Sequence, residues 1–231
     1  MKKIALTIIF LIIVSNLFSD EAFFPTKPGM VQLIANLNSR GRVEGYNRMV
    51  IKDVRESGND ITVIYTIQIL DRNRKPARQS SEREYSVTIS NDVVLLRLAN
   101  VMDAYFSTRN FNYTMTAGIL SIPSNMAPGK KLDDTWMKMV VHVPVIGSVK
   151  ADVAMTDIVC AGIETVTVPA GTFEAFKLTQ TTTSVTEGYG SSKPIINTGE
   201  IWYVKGIGEV KSISYDAKGK VESSTELYEL Q

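Results

Sequence analysis

The chain predicts a mainly β domain: an antiparallel sheet, curved into an open or half barrel, with one or two short helices. Three observations carry that expectation. Apolar and polar residues alternate at period two over most of the chain after Pro28, which sends successive side chains to opposite faces of a strand. Turn-forming residues separate the alternating runs at short intervals, and strands joined that way are antiparallel, because a parallel return needs about a dozen residues or more. A sheet with so many strands curls, since twist accumulates and free edges invite unwanted pairing.

At the start of the 231-residue chain, Lys2 and Lys3 precede an apolar run from Ile4 to Val14 broken only by Thr7. The run is shorter than the roughly 20 apolar residues of a membrane span and fits the core of an export signal. Ser19 is the small residue that best closes the pattern, so residues 1–19 are assigned as signal peptide and residues 20–231 as one antiparallel β domain. Leu17 fits poorly three residues before that cut, which leaves a cut near Ala22 and an uncleaved anchor as alternatives. No Cys stands near the cut to take a lipid. The expected product is periplasmic or secreted, bacterial, and without a membrane span once the signal is removed.

The clearest strand holds Ile61, Val63, Tyr65, Ile67 and Ile69 on one face and Thr62, Thr66 and Gln68 on the other. Val31–Leu37, Arg48–Val54 and Glu82–Ile89 read the same way. Later strands are expected at Thr135–Val143, Val149–Val159, Thr172–Val185, Thr198–Lys205, Glu209–Tyr215 and Val221–Leu230. Turns are expected at Ser57–Asp60, Val168–Gly171 and Asp216–Gly219, where Pro, Asn, Asp and Gly supply preset or positive φ. Asp92–Ser107 has helical spacing, and Asn91 could cap it. Val93–Leu98 could also be a strand, and a short strand followed by a helix from about Ala99 is preferred.

With 25 basic and 24 acidic residues the chain is nearly neutral, and nothing in that balance selects nucleic acid or an anionic surface. Arg72, Arg74, Lys75 and Arg78 are the one basic cluster in the sequence, and they read as a solvated hairpin tip. Cys160 is the only cysteine, so no intramolecular disulfide forms, and a small buried residue is the favoured reading. One His and one Cys cannot build a structural zinc site, and no calcium-loop spacing occurs, so neither metal nor cofactor is expected. His142 lies in an apolar strand pattern and reads as a core or barrel-lining residue rather than a general base. Asp133-Asp134 reads as a turn, Glu222 and Glu226 as a solvent-facing row, and Gly206-Ile207-Gly208 as a turn rather than a phosphate loop. The scarcity of acid–base residues argues against an enzyme.

Three segments carry a resemblance. Pro123-Ser124, Gly129, Leu132 and Asp134 are spaced as in a motif of the TapB-like domain-of-unknown-function family of secreted bacterial proteins. Glu164–Lys177, with Pro169, Gly171 and Phe173, and Gly199–Lys211, with Gly206 and Gly208, follow in the same order. Ala175 stands where relatives often carry Cys. The family resembles carriers of the LolA and LolB type, an antiparallel half-barrel around short helices that holds acyl chains on its concave face. The resemblance implies a carrier or chaperone for a lipid or other apolar ligand, with Trp136, Met137, Met139, Phe176, Trp202 and Tyr203 as candidate pocket lining. The alternative is an envelope interaction or structural module with a filled core and a protein partner. Pro169, Gly171, Phe173, Gly206 and Gly208 also have a structural explanation, as turn and strand-start residues.

Overall fold

The computed structural model describes residues 22–78, 80–106, 112–143, 147–188 and 193–231; the predicted signal peptide lies outside them. In chain order the elements are β1 (Val31–Asn38), β2 (Val43–Ser57), β3 (Asp60–Asp71), β4 (Arg83–Ser90), β5 (Val93–Arg97) and α1 (Leu98–Phe106). They continue with β6 (Asn112–Ala117), β7 (Ile119–Pro123), β8 (Thr135–Val143), β9 (Gly147–Val168), β10 (Gly171–Glu187), β11 (Ile195–Val204), β12 (Gly208–Tyr215) and β13 (Val221–Leu230). All thirteen strands form one antiparallel sheet in the order β6-β8-β9-β10-β11-β12-β13-β1-β2-β3-β4-β5-β7. The ends of the domain are stitched together where Val31 and Gln231 exchange backbone hydrogen bonds of 2.8 and 2.9 Å.

The sheet is a nearly closed barrel, and the chain itself shows why. β6 and β7 are its two outermost strands, yet only Gly118 separates them in sequence, so the two edges converge at that residue. Gly118 N–H donates to the Trp136 carbonyl at 2.8 Å. The helix α1, which follows β5 and precedes β6, packs against β3 and β6.

One face of the sheet builds the core. Val63 and Tyr65 of β3, Val87 and Ile89 of β4, Val94 of β5, Leu120 and Ile122 of β7, Ile158 and Cys160 of β9, Leu178 of β10 and Tyr203 of β11 form one buried cluster. Ile61 and Ile67 pack against it, as the period-two reading of β3 requires. A second cluster joins the β9–β10 hairpin end (Val166, Val168, Ala175) to Trp202, Val210 and Leu227. A third, of Leu33, Ala35, Tyr46 and Leu70, lies on the other face of β1–β3.

The expected strand followed by a helix is found at β5 and α1. Asn91 does not cap that helix; it sits in the β4–β5 turn with Asp92, both at positive φ (47° and 63°). β6 and β7 were not foreseen, and β9 runs on to Val168 rather than stopping near Val159. Arg72, Arg74, Lys75 and Arg78 are exposed, as a solvated hairpin tip requires, and Arg74 also makes specific contacts. Its guanidinium covers the rings of Tyr46 and Tyr228, at 5.5 and 4.9 Å from their centroids, and pairs with Glu229 at 2.7 Å.

Candidate ligand-binding lumen

The residues just after the predicted signal fill the barrel. Ala22 and Phe23 are each 1% exposed, Phe24 is 9%, and all belong to the main core cluster. Phe23 packs edge-on against Phe176 and Tyr203, with centroids 5.1 and 6.4 Å apart, and Phe24 does so against Tyr65 at 5.3 Å. Gly206 N–H donates to the Ala22 carbonyl at 2.8 Å, so the Gly206-Ile207-Gly208 turn holds the segment in place. Gly206 and Gly208 both take positive φ (73° and 94°), which glycine adopts without a Cβ penalty.

Beside this plug a cavity of about 140 Å³ remains. Its walls include Phe23, Phe24, Ile34, Met49, Ile67, Leu96, Ile122 and Ile207, with Gln32, Tyr65, Tyr203 and Glu209 as the polar groups. These are mostly satisfied. Gln32 donates to the Ile207 carbonyl at 2.8 Å, and Glu209 accepts from Thr225 at 2.7 Å. Burial pushes the Tyr65 phenol up to about 12 against the opposing hydrogen bond of Asn100, and it raises Tyr203 further, with the Glu209 charge adding to it.

The candidate lining residues divide. Phe176 and Tyr203 face the plug, and Met137 and Met139 are buried at 8% and 9%. Trp136 is 46% exposed, on the opposite face of β8. Trp202 is buried in the second cluster, where Lys177 and Lys211 flank its ring and Glu164 accepts its indole N–H at 2.6 Å. Adjacent strand residues point to opposite faces, so Trp202 and Tyr203 cannot line one cavity, nor can Trp136 and Met137. Pro169 and Gly171 turn β9 into β10, with Gly171 at φ +146°, and Phe173 packs onto the second cluster.

His142 corrects its expectation. It lies on the outward face of β8 with Trp136 and Lys138, is exposed, and sits 2.9 Å from Ser148 Oγ through Nδ1. Cys160 is fully buried, and burial raises its thiol. Among the described residues no three His, Cys, Asp or Glu side chains group as metal ligands, and no helix is long and apolar enough to cross a membrane.

A polar cluster at α1 was not visible in the sequence. Asp103 accepts hydrogen bonds from Tyr113 of β6 at 2.5 Å and from Tyr85 and Arg83 of β4 at 2.8 and 3.2 Å. One carboxylate therefore joins strands from both sides of the barrel gap. Burial works against its charge, but the bonds from Tyr113 and Tyr85 and the Arg83 guanidinium outweigh it and hold the carboxyl below its ordinary range.

Two solved bacterial structures share this architecture. A protein described as exported, with a YmcC-like fold, from Bacteroides fragilis aligns at a TM-score of 0.73 and 19% identity, over 91% of this chain and 99% of its own. A protein described as a lipoprotein, from Parabacteroides distasonis, aligns at 0.75 and 20% identity, over 91% and 98%. At these identities the likeness concerns the fold. No curated protein matches. The DUF3108-like family model spans residues 27–227, nearly the whole described barrel, and the chain belongs to that family.

Proposed function

We propose that the domain is a non-enzymatic, exported module of the bacterial cell envelope, a rigid barrel that fills its own lumen and binds partners through its surface. The carrying observation is the plug. Ala22–Phe24 packs into the core of the barrel, and the space left beside it, about 140 Å³, is below the roughly 300–1,000 Å³ of small-molecule pockets. Native mass spectrometry of protein gently released from its own envelope tests this. The bare polypeptide mass is expected, and a lipid travelling with it would overturn the reading.

A second reading, carriage of an apolar ligand, is favoured by the cavity walls, which are mainly apolar. In that case the plug must move aside. Calorimetric titration with fatty acids and lysophospholipids would then show saturable binding with a negative heat-capacity change.

A further inference from the structure

Three hairpin turns of one construction project from the same end of the barrel. In the β1–β2 turn, Asn38 Oδ1 accepts the N–H groups of Arg40 and Arg42 at 3.0 and 3.2 Å, and Asn38 N–H donates to the Arg42 carbonyl at 3.0 Å. Asp71, at the end of β3, does the same with Asn73 and Lys75 at 2.8 and 2.9 Å, closing at 2.8 Å on the Lys75 carbonyl. In the β12–β13 turn Asp216 repeats it with Lys218 and Lys220 at 2.8 and 2.9 Å, closing at 2.8 Å. The fourth residue is left-handed each time: Gly41 at 70°, Arg74 at 62°, Gly219 at 74°. Each turn ends on a cation: Arg42, Lys75 and Lys220.

Sheet register brings the turns together. Asn38 pairs with Ser223 and Gly45 with Asp71, Arg42 and Arg72 line one surface cleft, and Ser39 and Lys220 line another. Arg40, Arg42, Arg72, Lys75, Lys218 and Lys220 are all exposed and form no ion pair within 4.0 Å among the described residues. Four carboxylates stand among these six cations and keep their charge while they accept hydrogen bonds, and Asp216 lies in the field of Lys218 and Lys220. Asp71 and Asp216 cap their own turns, Glu44 accepts from Asn38 at 3.2 Å, and Glu222 accepts from Asn197 at 2.7 Å. That last bond ties the start of β11 to the start of β13, where Ile195, Ile196 and Val221 are 57%, 52% and 39% exposed.

We infer that this end of the barrel docks onto an anionic lipid surface. A surplus of exposed cations beside exposed aliphatic side chains is the pattern of interfacial binding, in which the charges meet headgroups and the aliphatics enter the boundary. A soluble polyanion would use the cations and leave the isoleucines in water. The inference rests on the reading that the surface, not the lumen, does the binding.

The test is co-sedimentation of the exported protein with vesicles of phosphatidylcholine alone or with about a third phosphatidylglycerol, at low and high salt. Binding is expected only to the anionic vesicles and is released by salt. The combined variant Arg42→Gln, Lys75→Gln, Lys220→Gln keeps every Asx cap, so its circular dichroism and melting should be unchanged while vesicle affinity falls roughly hundredfold, at about one kcal/mol per cation. Ile195→Ser, Ile196→Ser should weaken vesicle binding yet leave retention on dextran sulfate unaltered. Equal binding to neutral vesicles, wild-type binding by the Gln variant, or capture by dextran sulfate without vesicle binding would overturn the inference. Native mass spectrometry judges the lumen separately: failed docking with no co-purified lipid leaves the self-filled barrel standing.

Discussion

Phe23 stands edge-on to Phe176, with ring centroids 5.1 Å apart and planes at 77°, so a residue outside every strand completes the core of the barrel. Its removal leaves a hole that the surrounding sheet cannot close. Phe23→Ala is expected to cost about 3–5 kcal/mol, the range for a buried Phe, read as a lowered denaturant midpoint at unchanged slope. A loss below about 1 kcal/mol, the scale of a typical point mutation, would show that the plug is loosely held.

Two glycines are needed for different reasons. A Cβ at Gly118 would stand 2.7 Å from Thr135 Oγ1, and Thr135 is itself buried at 3%, so Gly118→Val is opposed by space, at about 1–3 kcal/mol for overpacking. At Gly171 a Cβ would meet Phe173 at an ordinary 3.5 Å, but φ is +146°. Gly171→Val is therefore opposed by the backbone and should lose more than about 1 kcal/mol. Thermal unfolding measures both, and an unchanged midpoint for either variant removes its explanation.

The Asp103 cluster predicts loss of stability at both extremes of pH. The folded carboxyl is held below its unfolded value, so its contribution is present above about pH 4 and fades as pH falls through the folded pKa. Tyr113 behaves oppositely. Burial, then the hydrogen bond to Asp103, raise it to about 12, so its contribution is present below about pH 10 and is lost as pH rises toward that value. Denaturation of wild type, Asp103→Asn and Tyr113→Phe from pH 2 to 12 checks this. The Asn variant should converge on wild type in acid, and the Phe variant in alkali.

Much of the barrel was readable because alternation is a local signal. Ile61, Val63, Tyr65 and Ile67 share the core face of β3 as their spacing demands. β6 and β7 escaped because the alternation of Tyr113, Met115 and Ala117 changes phase at Gly118, the residue at which the sheet edges meet. The stretch of β9 beyond Val159 escaped because Ala161, Gly162 and Glu164 blur the pattern. The plug has no period at all and adjoins an apolar signal; only tertiary packing gives Phe23 and Phe24 their role. The basic rim lies further from view, since Arg42, Lys75 and Lys220 are brought to one end by sheet register alone.

Trp136 and Trp202 give two fluorescence signals that the structure separates. Trp136 is 46% exposed, whereas Trp202 is 5% exposed, between Lys177 and Lys211 with its N–H on Glu164. Acrylamide should therefore quench Trp136 and spare Trp202, so that Trp136→Phe leaves a blue-shifted, poorly quenched emission and Trp202→Phe a red-shifted, readily quenched one. Neither ring borders the luminal cavity, and a ligand entering there would leave both emissions unmoved. Tyr203 and Tyr65 do border it. Adding a Phe24→Trp probe beside Tyr65 would place an indole in the cavity wall, and its emission is expected to stay constant across fatty acids of varied chain length if the lumen fills itself. A saturable shift of that probe, with Trp136 and Trp202 silent, would instead mark the plug as displaceable and move the function to the interior.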